Sequence, residues 1–312
     1  MGRELYETEP VFREEMDRCF ELLKPLTGRD LKEILYPTAG GHGTYRSDDS
    51  DISPIRQPEI AQPLVLAFEY ALAKLSMHWG IKPRAMIGYS YGEYAAACLA
   101  GVYSLEEILK LAVTRGELIK KAEPGAMLSV PFPRQELNAR LEANPHLELY
   151  IAIDNGPTCI VAGPTEDVES FAKQMKEEKV ICIRVPAARA LHTPMMASLA
   201  GEFREAVGKL TAKPPQIPYI SNVTGTWIQE SQLLDPGYWT GHMQNTVCFA
   251  DGLKELANHW KEAIFVEVGP GRDLSAVMAR YIENNPGQRV VSLVRPPQQQ
   301  VSDVYFLLTK IG

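Results

Sequence analysis

The sequence predicts an α/β protein: a large unit built on a parallel sheet, with a smaller unit inserted at residues 124–187. Three observations carry this reading. Amphipathic helical patterns alternate with short apolar runs. Strand, tight turn and helix signals follow one another at residues 85–100. The middle of the chain reads strand, helix, strand, strand, helix, strand. Strands covered by helices on both faces show up as short continuous apolar runs, as Ala85-Met86-Ile87 does.

In chain order, Phe12, Met16, Cys19 and Leu23 recur at helical spacing and predict a first helix ending near Pro25. Residues 37–60 are polar and rich in Gly, Ser, Asp and Pro, which marks a surface loop. A second helix is expected at about residues 62–79. After the apolar run comes a turn at 88–92 and an alanine-rich helix at 93–100. Ser104 and Glu107 form a capping box for a further helix running to about Lys121 and carrying Arg115. The inserted unit contains AMLSVPF, a helix at 134–143, LYIAID, TCIVAG, a helix at 166–178 and VICIRV. That βαββαβ order is ferredoxin-like. Residues 1–123 and 188–312 then make up the large unit. Thr193-Pro194 provides an N-cap with proline at the first helical position. PYISNVTG and AIFVEVGPG read as further strands, the second leading into a helix at Asp273.

Composition excludes several classes. With 312 residues, 45% of them hydrophobic, the chain can bury one large core and support an appended unit. No run approaches the roughly 20 apolar residues of a membrane helix. The start MGRELYETEP is polar where a signal peptide is apolar, and Tyr6 stands where myristoylation requires Ser or Thr. A cytoplasmic location is the expectation. Cys19, Cys98, Cys159, Cys182 and Cys248 are odd in number, scattered and free of C-x-x-C pairs, so they read as reduced core residues with neither disulfide framework nor zinc site. A net charge of −7 argues against nucleic acid as partner.

Gly88-Tyr89-Ser90-Tyr91-Gly92 fits the nucleophile elbow G-x-S-x-G, in which a tight strand-to-helix turn lifts the serine hydroxyl from the sheet edge. Both glycines are expected to permit close backbone approach and strained angles around the serine. A serine at a helix N-terminus also sees backbone N–H groups and a positive dipole end, which suit a developing oxyanion. The large unit is therefore expected to be α/β-hydrolase-like. Ser90 needs a proton acceptor, and His192, just before a capped helix, is the candidate base. The remaining histidines, His42, His78, His146, His242 and His259, mostly read as loop or helix-surface residues.

With Glu93 added, the elbow resembles the G-H-S-x-G-E signature of malonyl-CoA:acyl-carrier-protein transacylases and polyketide synthase acyltransferase domains. The resemblance extends over Gln62-Pro63, Asn155-Gly156-Pro157, Leu191-His192, Tyr238-Trp239, Val247 with Phe249, and Glu267-Val268-Gly269-Pro270. It implies an acyl group carried on Ser90 from a coenzyme A thioester to the phosphopantetheine of an acyl carrier protein, among neighbouring domains of a synthase and with no tightly bound cofactor. It also implies that Arg115 pairs with the free carboxylate of a malonyl-type group, for which a planar guanidinium is suited. His192 is implied as the base, oriented by the backbone carbonyl of His242. The Tyr91 N–H is implied as an oxyanion donor, with Gln62 and Asn155 in support. The family's glycine-glutamine segment, which helps form the oxyanion hole, precedes the position at which Met1 stands here.

Three positions bear on acyl choice. Tyr89 replaces the family's usual histidine and alters the pocket wall. The stretch Arg189-Ala190-Leu191-His192 corresponds to His-Ala-Phe-His in malonyl-selecting and Tyr-Ala-Ser-His in methylmalonyl-selecting domains. Leu191 is bulky like Phe and favours malonyl, while Arg189 fits neither pattern. One methyl group is worth only about 1–3 kcal/mol of discrimination. Two other readings stay open on sequence alone: an acyl-thioester hydrolase with the same Ser-His site, and a catalytically impaired structural piece of a synthase.

Overall fold

The computed structural model describes residues 2–37, 54–296 and 298–311. Most of the loop read at 37–60, with His42 in it, lies outside them. The chain opens with a short helix α1 (Arg3–Thr8) and then α2 (Pro10–Thr27), which buries Phe12, Met16, Cys19, Phe20 and Leu23. The helix continues through Pro25 instead of ending there. Proline in the last turns forfeits one backbone bond, and Gly28, in the left-handed region, closes the helix by donating to the Lys24 carbonyl. After α3 (Leu31–Leu35), α4 (Pro58–His78) begins four residues earlier than expected. Pro58 occupies the first helical position, where a missing N–H is harmless, and Pro63 is carried inside the helix.

Strand β1 (Met86–Ile87) leads through the turn into α5 (Gly92–Leu99). Helix α6 (Leu105–Lys121) starts at the expected capping box: Ser104 Oγ accepts from Glu107 N–H at 3.2 Å, and Ser104 N–H donates to the Glu107 carboxylate at 2.8 Å. One apolar core is shared by α2, α4, α5 and α6, with α4 buried along nearly its whole length.

The middle of the chain forms β2 (Ala126–Val130), α7 (Arg134–Glu142), β3 (Tyr150–Asp154), β4 (Cys159–Gly163), α8 (Thr165–Glu177) and β5 (Ile183–Val185). These strands make an antiparallel sheet in the order β3-β4-β2-β5. Strand periodicity of two divides it into faces. Ala126, Leu128 and Val130 point to α7 and α8, packing on Leu137, Val168, Phe171 and Met175. Met127, Ala152, Ile160 and Ala162 point the other way, onto Phe249, Leu253, Met278 and Ile282. The sheet is thus clamped between its own helices and the rest of the protein.

Thr193 caps a 3-10 turn (Pro194–Leu199) that runs into α9 (Ala200–Val207). There follow β6 (Tyr219–Ile220), α10 (Glu230–Leu233), α11 (Gly237–Gln244), α12 (Phe249–His259), β7 (Ala263–Glu267), α13 (Asp273–Ile282), β8 (Gln288–Ser292) and α14 (Asp303–Ile311). The expected parallel pairing is present as two pairs, β1 with β6 and β7 with β8. Strand β8 is not among the strands expected above. The segment after α11 bridges the two units: Val247 N–H donates to Ala152 C=O and Asp154 N–H to Val247 C=O. Among the described residues no helix is long and apolar enough to cross a membrane.

Candidate active site

Ser90 sits between β1 and α5 with φ of +52°, a conformation rare for a residue with a Cβ. Gly88 makes the turn possible, since a Cβ there would lie 2.0 Å from Glu93 N. Gly92 differs from expectation. Its φ is ordinary and a Cβ would meet nothing within 4 Å, so no close approach requires glycine there.

What fixes the turn is Asn222, in the loop after β6, which sequence reasoning passed over. Its Oδ1 accepts the Ser90 N–H at 2.7 Å, its Nδ2 donates to Gly88 C=O at 2.7 Å, and its own N–H donates to Glu93 Oε2 at 2.7 Å. One amide side chain satisfies both ends of a strained turn. The Ser90 N–H is thereby occupied. The Tyr91 N–H donates to no group among the described residues and stands at the N-terminus of α5, available to a developing oxyanion.

His192 Nε2 lies 2.5 Å from Ser90 Oγ. His192 also has a positive φ, +61°, and is only 2% exposed. Its backbone N–H donates to Met243 C=O at 3.0 Å, and Nδ1–H donates to the His242 carbonyl at 2.9 Å. That second bond sets the tautomer, leaving the Nε2 lone pair facing the serine hydroxyl. Burial, reinforced by the charges of His242 and Arg115, holds the His192 imidazole well below the ordinary histidine range. The group facing Ser90 is therefore a neutral base.

Arg115 projects from α6 and is 1% exposed. The next residue, Gly116, lets α6 approach α4 closely, because a Cβ there would lie 2.6 Å from Glu59 Cα. This brings Gln62 into reach, and Arg115 Nη1 donates to its Oε1 at 2.8 Å. The guanidinium lies over the rings of Tyr91 and Tyr94 at 5.3 and 5.6 Å. Its Nε and Nη2 are buried and make no hydrogen bond of good geometry among the described residues, although the Tyr94 hydroxyl lies close enough to feel the guanidinium. Buried charged donors left open are costly unless a ligand takes them.

The other expected residues line the surroundings. Tyr89 packs edge-on against Phe249 at 4.8 Å, and Asn155 Nδ2 reaches its hydroxyl at 3.4 Å, tying the elbow to the four-stranded sheet unit. Leu191 packs against both the main core and the cluster between the two units. Arg189 donates to Ala188 C=O at 2.8 Å and to Lys120 C=O at 3.0 Å, at the C-terminal end of α6. A cavity of about 390 Å³ opens beside His192, lined by Arg134, Asn138, Tyr150, Gln244 and Asn245 among others.

Two further readings need correction. His242 is not a helix-surface residue: it is 1% exposed, because α11 turns that side toward α5. Cys182 and Cys248 are only half-buried; all five cysteines are free.

A serine hydroxyl at the N-terminus of a helix, against a buried imidazole, is the arrangement of a base-activated nucleophile. The chain belongs to the acyl transferase domain family, which it matches over residues 1–311. It is 34% identical over its whole length to a phenolphthiocerol/phthiocerol polyketide synthase polypeptide of Mycobacterium tuberculosis, of which it spans 20%. It is 35% identical over 92% of its length to the spectinabilin polyketide synthase protein NorB of Streptomyces orinoci, spanning 13% of that protein. The chain thus covers a fifth or less of these relatives. Among solved structures it is similar to the acyl transferase domain of ZmaA, with 44% identity and a TM-score of 0.87, covering 100% of this chain and 70% of that one. The acyl transferase domain of SpnD, in complex with a 2-(pent-4-yn-1-yl)malonyl group, is 31% identical with a TM-score of 0.87, covering 99% of this chain and 71% of that one. The malonyl-CoA:acyl-carrier-protein transacylase of Clostridium perfringens, at 20% identity and a TM-score of 0.81, shares the fold.

Proposed function

We propose that this domain transfers a malonyl-type acyl group from coenzyme A, through an ester on Ser90, to the phosphopantetheine thiol of an acyl carrier protein. It does so within a cytoplasmic multidomain synthase that makes a polyketide. The observation that carries the acyl class is Arg115, a buried guanidinium over the ring of Tyr91, next to the nucleophile in sequence, with Nε and Nη2 unpartnered among the described residues and its charge felt at His192. Two open N–H groups match the two oxygens of a carboxylate, which an acetyl group lacks. The malonyl-type group held by the related SpnD domain supports the same class.

In the first half-reaction His192 Nε2 takes the Ser90 proton as Oγ attacks the thioester carbonyl. The Tyr91 N–H faces the developing oxyanion. The C–S bond then breaks, and the imidazolium returns its proton to the leaving coenzyme A thiolate. In the second, His192 takes the proton of the carrier's pantetheine thiol, whose sulfur attacks the acyl ester. Ser90 leaves and recovers the proton. Gln62 holds Arg115 in place, and the His242 carbonyl keeps the imidazole in its base form. Tyr89, Arg189 and Leu191 shape selection around the acyl group, with the bulk of Leu191 favouring an unbranched malonyl.

Incubation with malonyl-CoA and intact mass measurement tests this. One malonyl group should appear on the protein, be absent in Ser90→Ala, and move to a carrier protein on its addition. Free malonate released faster than the carrier is loaded would make the domain a hydrolase. No adduct at saturating substrate would leave only a structural role.

A further inference from the structure

The His242 side chain has no place in the steps above, which use only its carbonyl. It is nevertheless enclosed directly behind the catalytic pair. Its ring centroid lies 5.7 Å from that of His192. Its Nε2 lies 3.4 Å from Glu93 Oε2, with both side chains at 0% exposure, and neither ring nitrogen makes a directed hydrogen bond among the described residues. Glu93 is otherwise held by the Asn222 N–H and the Tyr238 hydroxyl. Among the described residues, the side chain in contact with this buried carboxylate that can carry the opposite charge is His242.

We propose that His242 is a positioning residue that acts through His192: as an imidazolium seated on Glu93, it braces the two segments carrying Ser90 and the orienting carbonyl. Its positive charge also keeps the neighbouring imidazole free of its proton. The brace is visible in the connections. Glu93 belongs to the first turn of α5, directly after the serine turn, and His242 belongs to α11, whose carbonyl holds His192 Nδ1. The pair closes a loop from Ser90 through Glu93, His242 and His192 back to Ser90.

The charged and titratable groups facing His242 come from each element packed around it. Helix α5 gives Glu93 and Tyr94, the latter edge-on at 5.5 Å; α11 gives Tyr238, on Glu93; the segment before the 3-10 turn gives His192. Arg115 of α6 reaches the Tyr94 ring. Among them Arg115 acts on His192 in the same sense as His242, opposing a second positive charge.

The inference rests on Ser90 and His192 working as a pair, and its test reads that pair without needing a malonyl substrate. The whole domain is reacted with a fluorophosphonate, which labels base-activated serines, across a range of pH. Labelling of the parent at Ser90 is required by the proposed function, and its absence would overturn that reading. In His242→Asn the acid limb of the labelling profile should move to higher pH by about 0.5 unit or more, the effect of one charge at this separation even with water's screening. Removing the histidine charge strands Glu93, so the double variant Glu93→Gln/His242→Asn is measured in parallel. It should fold as the parent does and show a shift of the same sign. Profiles parallel to the parent's, lower by one factor at every pH, or a shift to lower pH would overturn the proposal. A shift in the two variants, together with unchanged reversal of the label by a nucleophilic oxime, supports it.

Discussion

Replacing Arg115 separates a carboxylate clamp from a structural arginine. In the free protein its Nη1 is held by Gln62, and its other two donor nitrogens have no hydrogen-bond partner among the described residues. A malonyl carboxylate filling them makes two charged hydrogen bonds, each worth about 1.5–3 kcal/mol net. Arg115→Met should therefore lower kcat/KM for malonyl transfer by about 3–5 kcal/mol, on the order of 10³-fold, with acetyl transfer unchanged or improved. Arg115→Lys keeps the charge but loses the planar fork, and should fall between, at roughly 10- to 100-fold. The free protein gives a second reading. An open buried charge detracts from stability, so Arg115→Met should leave the unfolding midpoint unchanged or raise it, despite losing the Gln62 bond and the stacking on Tyr91 and Tyr94. Competition between malonyl- and acetyl-CoA, read by intact mass on Ser90 alongside denaturant unfolding, makes both measurements. Equal losses for the two acyl groups, or a variant destabilised by more than about 2 kcal/mol, would refute the clamp.

Asn222→Ala leaves the Ser90 N–H and the Gly88 carbonyl without their partner, and should destabilise the fold by about 2–4 kcal/mol in urea unfolding while slowing Ser90 acylation. Glu69 has a buried carboxylate oxygen with no partner among the described residues, and burial pushes its carboxyl up to about 8. The folded state therefore binds a proton that the unfolded state has released above about pH 4.5, so stability falls as pH rises from there through 8. Glu69→Gln should flatten that fall and add on the order of 2–3 kcal/mol at pH 7, and an unchanged stability profile would refute it. His192 runs with the opposite sign. Its depressed proton affinity means the unfolded chain takes up a proton that the fold refuses below about pH 6.5, so His192→Gln should lessen the acid loss of stability seen by circular dichroism.

How far the site was legible follows from how local each signal is. Ser90 announced itself because an elbow needs its glycine within the same few residues, and the Cβ clash at Gly88 is the physical content of that pattern. The capping box at Ser104 and the βαββαβ order of residues 126–185 are equally short-range, and they emerged with ends shifted by only a few residues. Where a proline and a helix competed, the sequence signal gave way. Pro25 and Pro63 each lie inside helices whose buried faces outweigh one missing backbone bond. Asn222 left no trace in its own neighbourhood, since its function is defined by groups 132 and 134 residues away, and a strand signal at PYISNVTG conceals it. Strand β8 does carry an apolar run, Val290 and Val291 followed by Leu293 and Val294, but its place beside β7 is set by long-range pairing.

The same distinction explains why Arg115 and His242 needed the fold. Each was placed by family resemblance, but resemblance assigned His242 only a carbonyl, a group every residue has. The buried imidazole follows from α11 packing its His242 side against Tyr94 and Glu93, which is tertiary information. Once enclosed, it lies 3.4 Å from the Glu93 carboxylate with both side chains out of solvent, the geometry of the ion pair proposed above. Two positive side chains, Arg115 and His242, then flank a base that must remain uncharged to act. The arrangement favours an acidic substrate group at Arg115, because a carboxylate there would cancel one of the two charges that oppose protonation of His192. Binding of a malonyl-type group should thus raise the proton affinity of His192, so that the base becomes stronger when the substrate is in place. Comparing the acid limb of kcat/KM, which reports the free enzyme, with that of kcat, which reports the loaded one, checks this. The kcat limb should lie at the higher pH, and coincident limbs would mean that the two charges are not felt at the imidazole.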